Sequence, residues 1–295
     1  MITWGFPIWL YLWLAGMAAG AYFTAFLAER FGRHTDNRML HISLYFGIPA
    51  AMAGVLFLLM DLSEPFRFWH LFTSFNLASP MSIGSWLLTL WIGIGVLILF
   101  LHHLRNRIPI KKVILKRISN YLHAAGFFAS VLLMSYTGVL LATSNQPLWA
   151  STGLLPPLFV ISAVSTGAAI LVLIGMITRI WKTYSETIMR TLQVDAIIIG
   201  IELVVLFAYF FWLSRSLTPG ASESMSQLLT GELSILFWIG VVLLAIILPF
   251  ALYVINWGKK VEEHRIVYIS TVVSSACVII GGLMLRTVIV IGGQI

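Results

Sequence analysis

Charged residues and cysteine are both scarce in this sequence. Only 10% of its 295 residues are charged, whereas 60% are hydrophobic, and the mean hydropathy is +0.97. This composition excludes a water-soluble domain of this length, because soluble domains carry about 25% charged residues. The single cysteine, Cys277, lies inside an apolar run. The chain cannot hold an iron–sulfur cluster by itself, because such a cluster requires several thiolates.

Motifs for other metal and cofactor sites are also missing. The sequence contains no Walker A motif, no HExxH and no cluster of carboxylates. The histidines fall in loops or at predicted helix ends, and we expect none to form a pair deep within facing helices: His34, His41, His70, His102, His103, His123 and His264. We therefore predict no haem, no iron–sulfur cluster and no metal site in this chain.

Long apolar runs take the place of these motifs. A helix needs about 20 apolar residues to cross the roughly 30 Å hydrocarbon core of a bilayer. Such runs must be helical, because lipid offers no partners to backbone polar groups. Eight runs qualify: Pro7–Ala28, Ile42–Met60, Ile83–His103, Tyr121–Thr143, Leu155–Trp181, Asp195–Leu213, Leu233–Asn256 and Val267–Gly292. We predict an all-α integral membrane protein with eight transmembrane helices.

The stretch Ser144–Pro157 separates the first four runs from the last four. We therefore expect two four-helix bundles, formed by helices 1–4 (about 7–143) and helices 5–8 (about 155–292), within one membrane domain over residues 1–295. The basic residues give the orientation: fifteen Lys and Arg residues lie in or beside the odd-numbered loops, against two on the other side. Because basic loops stay in the cytoplasm, both termini are predicted to lie outside.

The predicted outer loop from Asp61 to Trp86 is unusually aromatic for a connector. It contains Arg67, Phe68, Trp69 and Phe72, and such residues are typical of a membrane–water interface. One interpretation is a lid that packs over a lipid-soluble ligand or against a partner protein. The alternative is an ordinary aromatic anchor belt.

Two acids occupy the predicted sixth helix. Asp195, Glu202 and Tyr209 are spaced by seven residues, so they lie within about 20° of one another per step on one helix face. Ionisable groups within a membrane span are costly and indicate function by default. The stripe is a candidate proton path. In the alternative, Glu202 is protonated and bonds a neighbouring helix, while Asp195 caps the helix end.

Further polar side chains fall in the predicted outer half of the membrane. Arg286 in helix 8 needs a partner or a wet pocket. Asp61 has a compatible depth, so a structural pair and a ligand-facing arginine are both open.

Tyr136 in helix 4 is either a hydrogen-bond donor or part of the aromatic belt. Gly16 begins a GxxxG pattern in helix 1 that permits close helix approach. Tyr11 and Trp13 are expected to border the same outer cavity.

Several segments together resemble one family. They are WLYLWLAGMAAGAYF in helix 1, DLSEPFRFW followed by SPMSIGSW, YTGVLLATSNQPLW in helix 4, ILFWIGVVLLAIILPF in helix 7 and GGLMLRTVIVIGGQ in helix 8. These segments are similar to the NrfD-like membrane subunits, of which polysulfide reductase supplies the known example. The likeness covers nearly the whole chain, and SPMSxGxW combined with YTGxLL is fairly specific.

The resemblance implies a fold, a ligand and partners. In that family two four-helix bundles hold a quinone near the outer face without haem. A four-cluster ferredoxin-like subunit docks there, followed by a catalytic subunit that often carries molybdopterin. Tyr136 matches the family's quinone-contacting tyrosine. Tyr11 stands where the family's example places a quinone-contacting histidine, which leaves open the group that protonates the second quinone oxygen.

These expectations combine into one functional hypothesis. The chain is expected to be the quinone- or quinol-reactive subunit of a respiratory oxidoreductase in a bacterial or archaeal cytoplasmic membrane, with ubiquinone or menaquinone as ligand and coupling to proton translocation. Tyr136 and Asp61 are the candidate catalytic residues. The candidate quinone-binding residues are Tyr11, Trp13, Gly16, Met81, Tyr136 and Arg286. Arg67, Phe68, Trp69 and Phe72 are candidates for partner docking. The alternatives are a proton-coupled transporter and a membrane anchor without quinone chemistry.

Overall fold

The computed structural model describes residues 4–32, 37–61, 79–104, 112–144, 146–216, 220–259 and 265–294, and their regular structure is entirely helical. Within these ranges, eight helices are long and apolar enough to cross a membrane. We label them in chain order: α1 (Phe6–Phe31), α2 (Arg38–Asp61), α3 (Pro80–Leu104), α4 (Lys112–Ala142), α5 (Leu155–Ile177), α6 (Trp181–Ser214), α7 (Leu236–Ile255) and α8 (Arg265–Gly292). The predicted number and order of spans are confirmed.

Two helices extend well beyond their apolar runs. α4 begins at Lys112 and α6 at Trp181, whereas hydropathy places their starts at Tyr121 and Asp195. The 34 residues of α6 measure about 51 Å at 1.5 Å per residue, far more than the bilayer core. Hydropathy detects only the part of a helix that lipid surrounds, so the polar extensions were missed. A kink at Tyr184 lies within the extension of α6, near its start.

The first part of α7 is a π-helix over Leu236–Ile247, followed by an α-helical turn region over Leu248–Ile255. Pro249 lies at the junction. A proline lacks the N–H that would bond the carbonyl four residues earlier, here that of Ala245, and its ring crowds that carbonyl. In a π-helix each carbonyl accepts from the N–H five residues later instead of four. The Ala245 carbonyl then does not need the N–H that Pro249 lacks. Pi-helical segments are often found at functional sites.

The close approach of α1 and α5 depends on glycine. A Cβ at Gly20 would overlap the carbonyl of Ala163, and a Cβ at Gly167 would overlap the backbone of Gly20. The GxxxG pattern in α1 therefore permits the close helix approach that the sequence indicates. α1 packs against α2, α4, α5 and α8. The division into two bundles stays a prediction.

The two ends of the chain meet at one end of the molecule. The backbone N–H of Trp4 donates to Gln294 Oε1 at 2.6 Å, and Gln294 Nε2 donates to the Trp4 carbonyl at 2.9 Å. The short helix Pro147–Ala150 lies beside them, since Trp149 Nε1 donates to the Ile289 carbonyl at 2.7 Å. We call this the terminal end. Its assignment to the outer side of the membrane stays a prediction from the basic residues.

Candidate functional site

Two buried tyrosines meet between α1 and α4. Tyr11 is 1% exposed and Tyr136 is 6% exposed, and their hydroxyls are close enough to interact. Among the described residues, Tyr11 Oη finds no hydrogen-bond partner of ordinary geometry. A buried phenol without a partner has a donor and an acceptor position to offer to a ligand. The structure therefore brings together the two tyrosines that the sequence singles out.

The position of Tyr136 depends on two glycines in the quoted motifs. Gly84, in SPMSIGSW, lies against the Tyr136 ring, and a Cβ at this position would overlap the ring. Gly138, in YTG, lies against the backbone of Pro156 at the start of α5. The two motifs thus form one packing unit in which α3 presents bare backbone to the phenol of α4.

Arg286 of α8 is the centre of a second polar region, which lies on another side of α1. It is fully buried; Nη1 donates to the Gly282 carbonyl at 2.8 Å and to Ser162 Oγ at 3.3 Å. Its guanidinium lies 5.4 Å from the centre of the Phe159 ring. A Cβ at Gly16 would lie 3.1 Å from Nη2. Nε and Nη2 make no hydrogen bond to the described part of the chain, so a desolvated cation keeps unused donors.

The tyrosine pair and the surroundings of Arg286 lie on different sides of α1, and their common role in one quinone site stays a prediction. Tyr11 and Gly16 are five residues apart and point about 140° apart around α1. Trp13 is half-buried and its Nε1 donates to the Ile279 carbonyl of α8 at 3.2 Å. Met81 is 39% exposed near the start of α3.

Of the two alternatives that the sequence leaves open for Arg286, the pair with Asp61 is not formed. Asp61 is the exposed last residue of α2. Arg286 is instead surrounded by Ser162, the Gly282 carbonyl and, electrostatically, Glu202. Depth along the helix axis matched, but depth does not specify which side of a helix faces which neighbour.

The acidic stripe of α6 faces the protein interior. Asp195 is 1% exposed, Glu202 4% and Tyr209 0%. Their seven-residue spacing places all three on the same, buried face of α6. Glu202 interacts with Ser162 and with the charge of Arg286. Tyr209 Oη donates to the Leu148 carbonyl at 2.7 Å and so holds the short helix Pro147–Ala150. The proton role of Tyr209 stays a prediction, and exchanging its proton would require this bond to break.

A narrow polar cleft continues from Glu202 between α5, α6, α7 and α8. It is too narrow to admit a water molecule, and its walls are Ser162, Ser165, Thr166, Glu202, Ala245, Val278 and Gly282. Ser165 in turn faces Asp195. Hydroxyl and carboxyl groups therefore follow one another from Arg286 to Asp195, and the π-helical part of α7 borders this series through Ala245.

Sequence reasoning missed the serines and Tyr253 of this region. Ser162, Ser165 and Ser275 are each no more than 1% exposed, and Tyr253 is 5% exposed. A signal was present: small hydroxyl residues recur in α5 and α8 within otherwise apolar spans. Buried polar groups require partners, so such residues in a span predict a polar interior between helices.

Three histidines meet between helices near one end of the molecule, not deep within the membrane span. The rings of His41 and His102 lie 3.8 Å apart between centroids, and His123 lies 6.1 Å from His41. Tyr22 Oη lies 3.0 Å from His123 Nδ1. This cluster lies at the end opposite the termini. Over the described ranges, no group of three or more His, Cys, Asp or Glu side chains is arranged to hold a metal ion.

The predicted docking residues Arg67, Phe68, Trp69 and Phe72 lie outside the described residues. An apolar groove of about 430 Å³ runs between α2 and α3 and includes Tyr45, Pro49 and His103. Neither Tyr11 nor Tyr136 contributes to it. The groove and the tyrosine pair are therefore separate features.

Fold and site together define a multi-pass helical membrane protein with a buried, oxygen-rich polar interior and a phenol pair between its helices. The family model described as "Polysulphide reductase, NrfD" matches residues 1–295. The chain belongs to the NrfD family, which confirms the resemblance drawn from its motifs.

Three curated relatives illustrate the family. Protein NrfD of Escherichia coli is 29% identical, and the match covers 100% of this chain and 96% of the relative. A polysulfide reductase chain of Wolinella succinogenes is 28% identical over 99% and 95%. A selenate reductase subunit of Mesobacillus selenatarsenatis is 25% identical over 88% and 68%. Two of these relatives are, by name, parts of reductases.

Proposed function

We propose that this chain is the membrane subunit of a reductase complex and that it exchanges electrons between an iron–sulfur partner and a quinone pool. Membership of the NrfD family supports the first part, since two relatives are named as parts of polysulfide and selenate reductases. The second part is supported by one observation above all, the buried Tyr11–Tyr136 pair, in which Tyr11 Oη makes no hydrogen bond of ordinary geometry to the described residues.

The residues of the pair fit a quinone. A quinone is an apolar ring with two carbonyl oxygens, so its site needs apolar walls and a few hydrogen-bond donors. Tyr136 and Tyr11 supply two phenol donors in a buried setting. When bound, the quinone accepts or releases two electrons with two protons. The two phenols orient the ring through its oxygens, and each holds a proton at Oη within reach of the partner phenol.

A proton route toward the opposite end belongs to the same proposal. Glu202 and Asp195 lie about 10 Å apart along α6, and the cleft with Ser162 and Ser165 joins their surroundings. Hydroxyl groups can both accept and donate a proton, so this series offers more relay groups than the acidic stripe alone. Asp61, exposed at the end of α2, is the candidate contact with water at the terminal end.

Partners and orientation complete the proposal. The electrons come from, or pass to, a four-cluster ferredoxin-like subunit, since no electron carrier is predicted in this chain. That subunit docks at the terminal end, on the outer face of a bacterial or archaeal cytoplasmic membrane, through the loop with Arg67 and Trp69. A catalytic subunit, often of the molybdopterin type, stands beyond it.

Two other functions make different forecasts. A proton-coupled transporter would move a solute without any electron donor. A pure anchor would hold the partner subunits while their electron transfer stayed independent of quinone. Solute flux into liposomes without a donor would favour the first, and quinone-independent turnover of the assembled complex would favour the second.

Replacement of Tyr136 by phenylalanine tests the quinone site. Tyr136→Phe keeps the ring and its packing against Gly84 but removes the hydroxyl. Quinone-linked turnover of the purified complex should fall at least about tenfold, the low end for a positioned proton donor. Tyr121→Phe is the matched control, because Tyr121 lies on the same helix and is 72% exposed.

Assembly must be measured alongside turnover. The amount of complex and its activity with a soluble redox dye, which bypasses the quinone, should be equal in both variants. If Tyr136→Phe turns over quinone as fast as Tyr121→Phe does, Tyr136 has no part in the reaction.

A further inference from the structure

Five buried oxygen atoms around Asp195 have no hydrogen-bond partner within the part of the chain that the structure describes. They are both carboxylate oxygens of Asp195, Ser165 Oγ, Tyr253 Oη and Ser275 Oγ. We call these four residues the Asp195 cluster. Each residue is at least nine-tenths buried, with exposures of 5% or less. Native proteins leave few buried polar atoms unpaired, so five in one place require a physical explanation.

The members of the cluster face one another, at distances or angles outside ordinary hydrogen-bond geometry. Asp195 interacts with the hydroxyls of Ser165 in α5 and Tyr253 in α7. Tyr253 in turn interacts with Ser274 and Ser275 in α8. Four helices thus direct oxygen atoms toward a common region, while none of the five oxygens makes a hydrogen bond of ordinary geometry to the described residues. Several oxygens that converge without ordinary hydrogen bonds are compatible with a shared cation, which hard oxygen ligands prefer.

The charge of the cluster is also unbalanced. The groups acting on Asp195 are Ser165, Tyr253 and, at longer range, Glu202, and none of these is basic. The positive charge of the nearby Arg286 interacts with Glu202. A carboxylate isolated from water in a membrane interior must be neutralised by a proton or by a cation.

The chemistry of the oxygens defines which cation is suitable. Carboxylate and hydroxyl oxygens are hard ligands, and the cluster offers neither imidazole nor thiolate, so late transition metals are disfavoured. One carboxylate neutralises one positive charge, whereas a divalent ion would leave an excess charge in the interior. The adjoining cleft is narrow, and the close contact of Gly281 with Ala245 leaves little space between α7 and α8. A small monovalent ion meets these conditions.

We propose that the Asp195 cluster is a binding site for a sodium ion, held by Asp195, Ser165, Tyr253 and Ser275 between α5, α6, α7 and α8. The end of α7 that carries Tyr253 follows the π-helix and Pro249, so the irregular part of this helix positions one of the ligands. A proton competes for the same carboxylate, which connects the site to the proton series of α6. The inference does not depend on quinone chemistry, because ion binding is measurable without electron transfer.

Thermal unfolding of the purified full-length protein, with the subunits that co-purify, tests the site. The midpoint temperature is measured in NaCl and in KCl at equal ionic strength and without electron donor. A ligand that binds only the folded state stabilises it in a saturable way. Sodium should therefore raise the midpoint along a saturation curve, and potassium should not. Lowering the pH by one unit should raise the apparent sodium Kd by about tenfold where a proton and sodium compete for Asp195.

Variants separate this site from general salt effects. Asp195→Asn, which keeps the shape but not the charge, should lose the sodium-dependent shift. Ser275→Ala removes one of the four ligands and should weaken the apparent affinity by at least about tenfold, the low end for loss of a group that only supports a ligand. Ser43→Ala is the control: Ser43 is a buried helix serine of α2, bonded to the Leu40 carbonyl, and should behave as wild type.

The contrary results are equally defined. Equal unfolding curves in sodium and potassium would overturn the site and leave a protonated Asp195 as the account of its charge. A sodium shift that persists in both Asp195→Asn and Ser275→Ala would also overturn it. If Asp195→Asn does not fold, the wild-type comparison and Ser275→Ala decide. None of these outcomes depends on whether the chain binds a quinone.

Discussion

Replacing Gly84 by alanine should displace Tyr136 without removing any functional group. A Cβ at Gly84 would overlap the Tyr136 ring. Restoring ordinary contact of about 3.5–4 Å between carbon atoms requires the ring or α3 to shift by roughly 1–2 Å. Overpacking of this kind costs about 1–3 kcal/mol of stability. A catalytic group misplaced by about 1 Å can slow a reaction by about a hundredfold, so quinone-linked turnover should fall by about that factor.

The same helix provides the control. Gly93 also lies in α3, and a Cβ there would have no neighbouring atom within 4 Å. Gly93→Ala should therefore leave turnover and assembly unchanged. Both variants are compared by quinone-linked turnover, by turnover with a soluble dye that bypasses quinone, and by the yield of purified complex.

The dye assay separates the site from folding. Gly84→Ala should keep its dye activity per mole of complex while its quinone activity falls. Equal quinone activity in Gly84→Ala and Gly93→Ala would refute the reasoning, since a displaced Tyr136 would then have no effect on the reaction.

Further predictions concern other parts of the chain. Glu202→Gln keeps the shape of the side chain and loses its titratable proton, so electron transfer should continue at a reduced rate while proton translocation in liposomes collapses; a normal proton-to-electron ratio would reject the path. Gly20→Ala should lower the yield of folded protein, because the added Cβ overlaps the Ala163 carbonyl, at a cost of about 1–3 kcal/mol. Gly200→Ala is its control, with open space at the Cβ position, and equal thermal stability of the two variants would contradict the close packing of α1 and α5.

The helices of this protein could be predicted from hydropathy because lipid imposes one rule on all of them. The eight spans were found in the correct order, and Gly16 and Gly20 correctly indicated a close helix contact. The extension of α6 to Trp181 was missed, since it has no lipid to produce an apolar signal. The π-helix before Pro249 was missed because one proline is compatible with a kink, a break or a change of helix type.

The site was predicted only in part, for a geometrical reason. Periodicity along one helix correctly placed Asp195 and Glu202 on one buried face. Periodicity contains no information on which neighbouring helix a face meets. Asp61 was therefore considered as a partner of Arg286, whereas Ser162 and Glu202 lie beside it. The same limit hid the contact of His41 with His102, whose helices are separated by many residues in sequence.

Photolabelling with an azido-quinone tests the central claim most directly, because it reports where quinone binds. Labelled peptides are mapped by mass spectrometry in the purified complex, with and without excess unlabelled quinone. Labels displaced by the excess should lie in α1 and α4, beside Tyr11 and Tyr136, and should decrease in Tyr136→Phe. Displaceable label confined to the groove between α2 and α3, beside Tyr45 and His103, would contradict the account.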